Sequence, residues 1–275
     1  MNKIIVPVDF SKHSEYALEA AAILAKQRHS EILVLHMLEL SDGILTTADA
    51  ESQAKSVFFL KLAEKRFEAF LKKDYLQGIQ VTPIVKHYKV FSEVSEVAKE
   101  HKASLIVMGS HGTSGLNELF VGSNTERVVR NAELPVLVIK NKPQKLQFNN
   151  VVFACDFSNE VIDVYKKAKA MFPQATFNTL YVNLPTDQFK STSEIDALVA
   201  GFFNKANGNL DALQTMNFVS DYSVERGVLN FANKIKADLI ITPTHGRKGI
   251  AHFFEGSISE DIANHAILPV MTFKI

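Results

Sequence analysis

An internal repeat constrains the fold of this 275-residue chain more than any other feature of its sequence. The segment Ile4–Ser11 (IIVPVDFS) recurs as Val151–Ser158 (VVFACDFS), with Asp-Phe-Ser identical in both copies. Further along, Ala103–Val107 recurs as Ala237–Ile241, and matching glycine, serine, glutamate and Leu-Pro positions follow at the same offset. A constant offset across unlike residue types indicates an internal duplication. One fold must therefore account for both halves.

Each copy alternates short apolar runs with amphipathic segments. In the first copy the predicted strands are Ile4–Val8, Glu31–Leu38, Gln80–His87, Leu105–Met108 and Val136–Ile139. The predicted helices run over about residues 15–27, 48–75 and 90–101, with a fourth from Ser123 to Leu134. This alternation predicts an α/β fold of two tandem doubly wound domains, each a five-stranded parallel sheet with helices on both faces. The polar stretch 143–149 is the predicted linker between domains at 1–142 and 150–275.

The composition narrows the classes of function. Thirty basic and thirty acidic residues balance, which argues against nucleic-acid binding that rests on bulk charge. No apolar run reaches membrane-spanning length, and the first strand begins at Lys3, so we expect neither a membrane partner nor a signal peptide. Cys155 is the only cysteine, which excludes an intramolecular disulfide and favours a reducing cytoplasm. Any anionic ligand must therefore be held by local features.

The stretch from Ala103 to Lys140 carries such a feature. A buried strand leads into a loop with Gly109, Gly112 and Gly115, and a helix begins at Gly122-Ser123. Ser123 is the predicted N-cap, and Glu126 completes the spacing of a capping box. Leu134-Pro135 ends the helix before the next strand. A strand, a glycine loop and a helix N-terminus in this order present backbone N–H groups to an anion.

The spacing Gly109-x2-Gly112-x9-Gly122-Ser123 resembles the nucleotide loop of the universal stress protein family, and the whole chain resembles the tandem form of that family. The resemblance implies the strand order 3-2-1-4-5, with a ligand crevice at the carboxyl ends of the first and fourth strands. It also implies a cytoplasmic stress-response protein that binds ATP or AMP, with Mg²⁺ entering only with the phosphates. The nucleotide would act as a regulator of conformation or partner choice. The expected contacts in the first half are Pro7, Val8, Asp9, Met108, Gly109, His111, Gly112, Gly122, Ser123, Asn124 and Thr125.

Several of these residues have a second interpretation. The glycines could serve only to allow positive φ, and Asp9 or Ser11 could simply cap the first helix. By resemblance Asp9 contacts the nucleoside, while Ser123 and Asn124 contact phosphate and Thr125 adds a hydroxyl. An apolar residue near the end of the second strand would lie by the adenine, and alternation leaves His36 and Met37 both open. His111 packs against or caps the loop, because one histidine beside glycines is a poor signal for a metal or a general base.

The second half keeps the loop spacing but changes one position. Asp156, Gly246, Gly256, Ser257 and Ile258 make up a second, weaker predicted site. Pro243 stands where the first half has Gly109, and proline has no N–H to donate. Arg247 and Lys248 add positive charge nearby. We expect weaker or absent nucleotide binding in this half.

No catalytic residues and no metal site are predicted. The chain lacks a Walker loop, a G-x-S-x-G elbow and a His/Cys cluster of metal-binding spacing. A slow nucleotide hydrolase or a transferase using the same crevice remains the alternative, and a scaffold with purely structural glycines is a third. The apolar fifth strands, Val136–Ile139 and Val270–Phe273, are expected to pair with each other, and the chain is expected to form a homodimer.

Overall fold

The chain divides into two units, Met1–Leu146 and Gln147–Ile275. The computed structural model describes residues 2–38, 50–87, 93–110, 123–143, 146–187, 189–245 and 258–275. Leu146, in the predicted linker, is buried, and its carbonyl accepts a hydrogen bond from Gln27 Nε2 at 3.2 Å. The linker therefore packs at least partly on the first unit. The domain bounds given above and the pairing of the fifth strands stay predictions.

The first unit is a parallel sheet covered by helices. Its strands are β1 (Lys3–Pro7), β2 (Glu31–Leu38), β3 (Val81–His87), β4 (Leu105–Gly109) and β5 (Val136–Ile139). Its helices are α1 (Lys12–Arg28), α2 (Ala50–Phe70), α3 (Glu93–Glu100) and α4 (Ser123–Asn131), with a 3₁₀ turn at Asp74–Leu76. The strands lie in the order β3-β2-β1-β4-β5, and the described pairs are parallel. The predicted architecture and strand order are confirmed.

Local sequence signals explain where these elements begin and end. Ser11 is the N-cap of α1, since its side chain accepts a hydrogen bond from the Ser14 N–H, and α1 therefore starts three residues before its predicted first turn. His29 ends the helix in the left-handed conformation. The predicted helix over 48–75 is too long, because α2 ends at Phe70 and the 3₁₀ turn follows.

Both faces of the sheet are buried, as the continuous apolar strands predict. One face, with Ile5, Leu33 and Ile106, packs against apolar residues of α3 and α4. On α1, most of the buried positions are alanines. Short side chains let that helix approach the sheet closely, which matters at the end of β4.

The second unit repeats the first. Its strands are β6 (Asn150–Ala154), β7 (Thr176–Asn183), β8 (Met216–Ser220), β9 (Leu239–Thr244) and β10 (Val270–Lys274). Its helices are α5 (Ile162–Met171), α6 (Thr192–Asn207), α7 (Val224–Lys234) and α8 (Ile258–His265), with 3₁₀ turns at Asn159–Val161 and Asp211–Thr215. The order is β10-β9-β6-β7-β8, again parallel. The duplication read from the sequence is thus a duplication of structure.

The second copy is shorter around its second helix. Helix α6 has 16 residues against 21 in α2. It begins at Thr192, because Ser191 and Glu194 form a reciprocal capping box. In the part of the chain that the structure describes, no helix is both long and apolar enough to cross a membrane.

Candidate functional site

The candidate site lies at the carboxyl ends of β1 and β4. Ile4 and Ile5 of β1 pair with Leu105 and Ile106 of β4, while β2 lies on the other side of β1. The order of the strands therefore reverses between β1 and β4, and the segments that leave these two strands diverge to opposite faces. Open α/β sheets bind their ligands at such a point. Asp9 follows one of these strands and Gly109 ends the other.

The Asp-Phe-Ser segment after β1 is a hydrogen-bonded turn. Asp9 Oδ1 accepts a hydrogen bond from the Ser11 N–H at 3.0 Å, and Phe10 has a φ of 63°. A bulky residue in the left-handed region costs roughly 1–3 kcal/mol, so the surrounding packing must hold it there. The Phe10 ring lies 4.4 Å from the His36 ring and 5.2 Å from the Phe67 ring, measured between centroids. Asp9 thus organises the start of α1, as its structural interpretation predicts, and its contact with a nucleoside stays a prediction.

Next to this turn, the structure separates His36 from Met37, which the sequence could not. The His36 ring contacts Phe10, and its Nδ1 lies 2.8 Å from the Val8 carbonyl oxygen. Met37 instead packs against the apolar cluster of α3 and α4 on the other face of the sheet. Burial lowers the pKa of His36, and the positive charge of Arg66 lowers it further, while the Val8 carbonyl and Asp9 act in the opposite direction. His36 is therefore a neutral ring at pH 7, beside the turn.

Two residues of this cluster were missed from the sequence. Phe10 anchors the turn through its ring contacts, and the Arg66 guanidinium lies 5.8 Å from the centroid of that ring. The repeated Asp-Phe-Ser motif carried a signal for Phe10, because a phenylalanine kept between two polar residues in both copies indicates a packed anchor. Arg66 lies on α2, and no spacing relates it to β1.

Gly109 is required for a reason that the sequence did not reveal. Its φ is not positive, so the interpretation based on left-handed backbone is wrong at this position. A Cβ atom on Gly109 would instead lie 2.7 Å from the carbonyl carbon and oxygen of His13. The backbone of the first turn of α1 passes directly over the end of β4, and only glycine leaves room for it.

The N-terminus of α4 is attached to the same strand end. The Thr125 hydroxyl donates a hydrogen bond to the Gly109 carbonyl at 2.8 Å, and Thr125 is buried, whereas Asn124 is exposed. The hydroxyl proton of Thr125 is thus used inside the protein, which favours a structural role for that residue. Helix α4 includes Ser123 as its first residue. The Ser123 side chain, with its predicted capping box, and His111, Gly112 and Gly122 lie outside the described residues.

The apolar residues predicted for the site support the strands. Val8 and Met108 are both buried, and the Val8 N–H donates a hydrogen bond to the Leu35 carbonyl at 2.7 Å. Met108 belongs to the cluster under α3 and α4. Pro7 is half-buried and is paired with Leu35 across the sheet. Among these three residues, Pro7 has the most exposed surface.

The second unit repeats the turn and the helix attachment. Asp156 Oδ1 accepts a hydrogen bond from the Ser158 N–H at 3.0 Å, and Phe157 has a φ of 57°. The Ser259 hydroxyl, at the position of Thr125, donates to the Pro243 carbonyl at 2.9 Å. Helix α8 begins at Ile258, whose side chain, like Gly246, Gly256 and Ser257, lies outside the described residues.

The end of β9 differs from the end of β4 in charge and shape. Pro243 occupies the place of Gly109 on β9. Close to it in sequence, His245 Nε2 lies 3.3 Å from Glu160 Oε2, and both side chains are largely exposed. Within the described residues of both units, no group of three potential metal ligands occurs.

Comparison with known proteins now places these two units. The sequence model of the Universal stress protein family matches residues 1–140 and, a second time, residues 148–274. The chain belongs to the universal stress protein family. Two matches in succession make it a tandem universal stress protein, as the repeat and the loop spacing led us to expect.

Individual relatives in the universal stress protein family match about half of this chain. Universal stress protein MJ0531 of Methanocaldococcus jannaschii is 31% identical over 143 residues, which cover 52% of this chain and 84% of the relative. Universal stress protein YxiE of Bacillus subtilis is 31% identical over 153 residues, which cover 50% of this chain and 99% of the relative. Each relative is thus similar to a stretch of about one domain.

Solved structures match the tandem arrangement along the whole chain. A universal stress protein from Archaeoglobus fulgidus covers 99% of this chain and 96% of its own, with a TM-score of 0.65 and 21% identity. The functionally unknown protein PA1789 from Pseudomonas aeruginosa covers 100% of this chain and 92% of its own, with a TM-score of 0.63 and 15% identity. At these identities the likeness shows the fold alone.

Proposed function

We propose that the first unit binds an adenine nucleotide, ATP or AMP, at the carboxyl ends of β1 and β4. One observation carries this proposal: the N-terminus of α4 is bonded through Thr125 to Gly109, at the point where the strand order reverses beside Asp9. The first turn of a helix has unpaired N–H groups and a partial positive charge. Such a helix start is suited to a phosphate group.

The chemistry of the protein groups indicates which part of the nucleotide each would bind. The backbone of α4 at Ser123 and Asn124, with the glycine loop before it, would hold the phosphates, and the turn at Val8 and Asp9 would meet the nucleoside. Since the described residues offer no three-ligand metal cluster, Mg²⁺ would be carried to this unit by the phosphates themselves. The bound nucleotide would then act as a cytoplasmic signal that shifts conformation or partner choice.

The second unit is a weaker site in this proposal. Pro243 stands at the place of Gly109 and has no N–H to offer. The Glu160 carboxylate, paired with His245 near the end of β9, adds negative charge where phosphate would have to approach. Both differences disfavour an anionic ligand.

Titration calorimetry with ATP and with AMP tests the site and the asymmetry together. We expect about one tight site per chain, and mass spectrometry of the purified protein should detect a bound adenine nucleotide. Replacing Gly122 by valine (Gly122→Val) should lower affinity about tenfold or more, because a branched side chain would block the helix start. Gly256→Val, the same change in the second half, is the matched control and should leave the tight site unchanged.

The outcomes separate the two parts of the proposal. Absence of binding by either nucleotide would contradict the proposed function. Two equivalent tight sites, or loss of the tight site in Gly256→Val alone, would contradict the asymmetry while leaving nucleotide binding in place.

A further inference from the structure

Strand β8 ends the sheet of the second unit, and among the described strands it pairs only with β7. The direction of its backbone groups follows from its neighbours. The Leu180 carbonyl accepts from the Cys155 N–H, so Leu180 faces the β6 side, and the alternate residue Thr179 faces β8. Thr179 is in register with Met216. In a parallel ladder with this register, the backbone groups of Asn217 form hydrogen bonds to β7. The backbone N–H and C=O of the next residue, Phe218, therefore point away from the sheet.

The outer edge of β8 thus offers hydrogen-bonding groups of both kinds. Phe218 and Ser220 each turn an N–H and a C=O outward, and Met216 adds a C=O. The N–H of Met216 is already used, since it donates to the Leu213 carbonyl. A row of this kind is a template for another extended strand.

The corresponding edge of the first unit is protected. Strand β3 ends that sheet, and the Ile32 N–H donates to the Gln80 carbonyl, so Gln80 and Thr82 bond to β2 while Pro83 faces outward. Proline on an edge removes one outward donor, and Lys86 further along β3 adds a charge. Strand β8, with the sequence MNFVS, contains neither a proline nor a charged residue.

Apolar side chains surround this edge. Phe218 is 45% exposed, Leu210 and Leu213 just before β8 are also exposed, and Tyr222 just after it is 83% exposed. The nearby Asp221 does not act as a repulsive gatekeeper, because its Oδ1 lies 3.4 Å from Arg226 Nε and its Oδ2 accepts from Asn230. Strand β8 itself is therefore uncharged, and the carboxylate that follows it is paired with Arg226.

We propose that β8 is a docking edge for a second copy of this chain, with the two β8 strands antiparallel about a twofold axis at Phe218. The edge is self-complementary in this arrangement. The Phe218 N–H of each copy donates to the Phe218 carbonyl of the other, and each Ser220 N–H donates to the opposite Met216 carbonyl. The apolar side chains of the two copies then cover one another.

Two variants test this interface in the full chain. Sedimentation equilibrium of the unchanged protein should detect a dimer. Phe218→Lys places two ammonium groups opposite each other and should abolish this association. Asn204→Lys adds the same charge at an exposed position on α6 and serves as control. Thermal melting of both variants checks the fold, which should survive because Phe218 is 45% exposed.

Cross-linking tests the register directly. Opposed residues in a hydrogen-bonded antiparallel pair have Cα atoms about 5.5 Å apart, within the range of a disulfide. Under mild oxidation Phe218→Cys should therefore give a covalent dimer, and Asn204→Cys should not. Burial raises the pKa of the native Cys155 thiol, and Asn204→Cys, which carries the same native thiol, measures any cross-linking through it. A monomeric unchanged protein, unaltered association in Phe218→Lys, or equal cross-linking of the two cysteine variants would each overturn the proposal.

Discussion

The two units share a sheet order and differ where the fourth strand ends. In both, an aspartate accepts a hydrogen bond from the serine two residues on, and the phenylalanine between them has positive φ. In both, a hydroxyl of the helix after the fourth strand is bonded to the last part of that strand. These hydrogen bonds are therefore common to both copies of the fold.

The differences lie in how the first helix of each unit meets the sheet. In the first unit α1 begins immediately after its cap Ser11 and passes over Gly109. In the second, Ser158 makes no cap hydrogen bond, a 3₁₀ turn precedes α5, and Pro243 replaces the glycine. Close packing at this point is thus a property of one unit, and it is the unit for which we propose the tight nucleotide site.

The largest effect on stability is expected from Gly109→Ala. The new Cβ would meet the His13 backbone at 2.7 Å, and backbone cannot rotate away as a side chain can. We expect a loss of about 1–3 kcal/mol in the free energy of unfolding, as for other overpacked sites. Urea denaturation measures the loss, and hydrogen exchange should place the new flexibility in α1.

Two control variants test whether the loss in Gly109→Ala comes from close packing against α1. Gly201→Ala, in the open middle of α6, should stabilise the protein by about 0.5–1 kcal/mol, because nothing lies near the added methyl and alanine favours helix. Pro243→Ala, at the equivalent position of the second unit, should change stability less than Gly109→Ala. An equal loss at positions 109 and 243 would contradict the difference in close packing between the units.

An intermediate effect is expected from the pair Ser11→Ala and Ser158→Ala. Ser11 accepts a hydrogen bond from the Ser14 N–H, so its loss should cost about 1 kcal/mol. The Ser158 hydroxyl is buried and has no hydrogen-bond partner in the described part of the chain. Removing it should be neutral or slightly stabilising. Thermal melts of the two variants side by side measure the difference, and a larger loss in Ser158→Ala would reverse our assignment of the caps.

The smallest effect concerns pH. His36 in the first unit has Tyr181 as its counterpart in the second, and burial lowers the pKa of His36 below 6.5 while it raises that of Tyr181. As the pH falls, the unfolded chain takes up the His36 proton before the folded chain does. The stabilisation from neutral His36 is therefore complete above pH 6.5 and is lost below it.

His36→Gln isolates this contribution. The stability difference between the unchanged protein and the variant should shrink as the pH is lowered from about 7.5 to 5. Tyr181→Phe is the matched control, and its stability difference should stay constant over that range, since tyrosine titrates only in alkali. A His36→Gln difference that is constant with pH would show that burial of the ring does not affect its protonation.

Sequence patterns were sufficient for the architecture, and they placed the candidate site at the ends of β1 and β4. Strand and helix alternation, the Asp-Phe-Ser repeat and the glycine spacing act over short distances or recur at a fixed offset, so they can be read along one chain. They were insufficient for Gly109, because the atoms that exclude a side chain there belong to His13, almost a hundred positions earlier. They were also insufficient to choose between His36 and Met37, since both lie near the end of β2 and only their packed faces distinguish them.

By itself, the sequence determined that the protein is a tandem α/β chain with a glycine-rich loop in its first half and an altered loop in its second. The spacing of apolar residues, the capping residues and the turn residues are local properties, and the duplication presents them in both halves of the chain. The tertiary structure alone decided which residues support that site and which edge remains unprotected. Close approach of backbones, the partner of the Thr125 hydroxyl and the outward direction of the Phe218 amide all depend on segments that meet only after the sheet has formed.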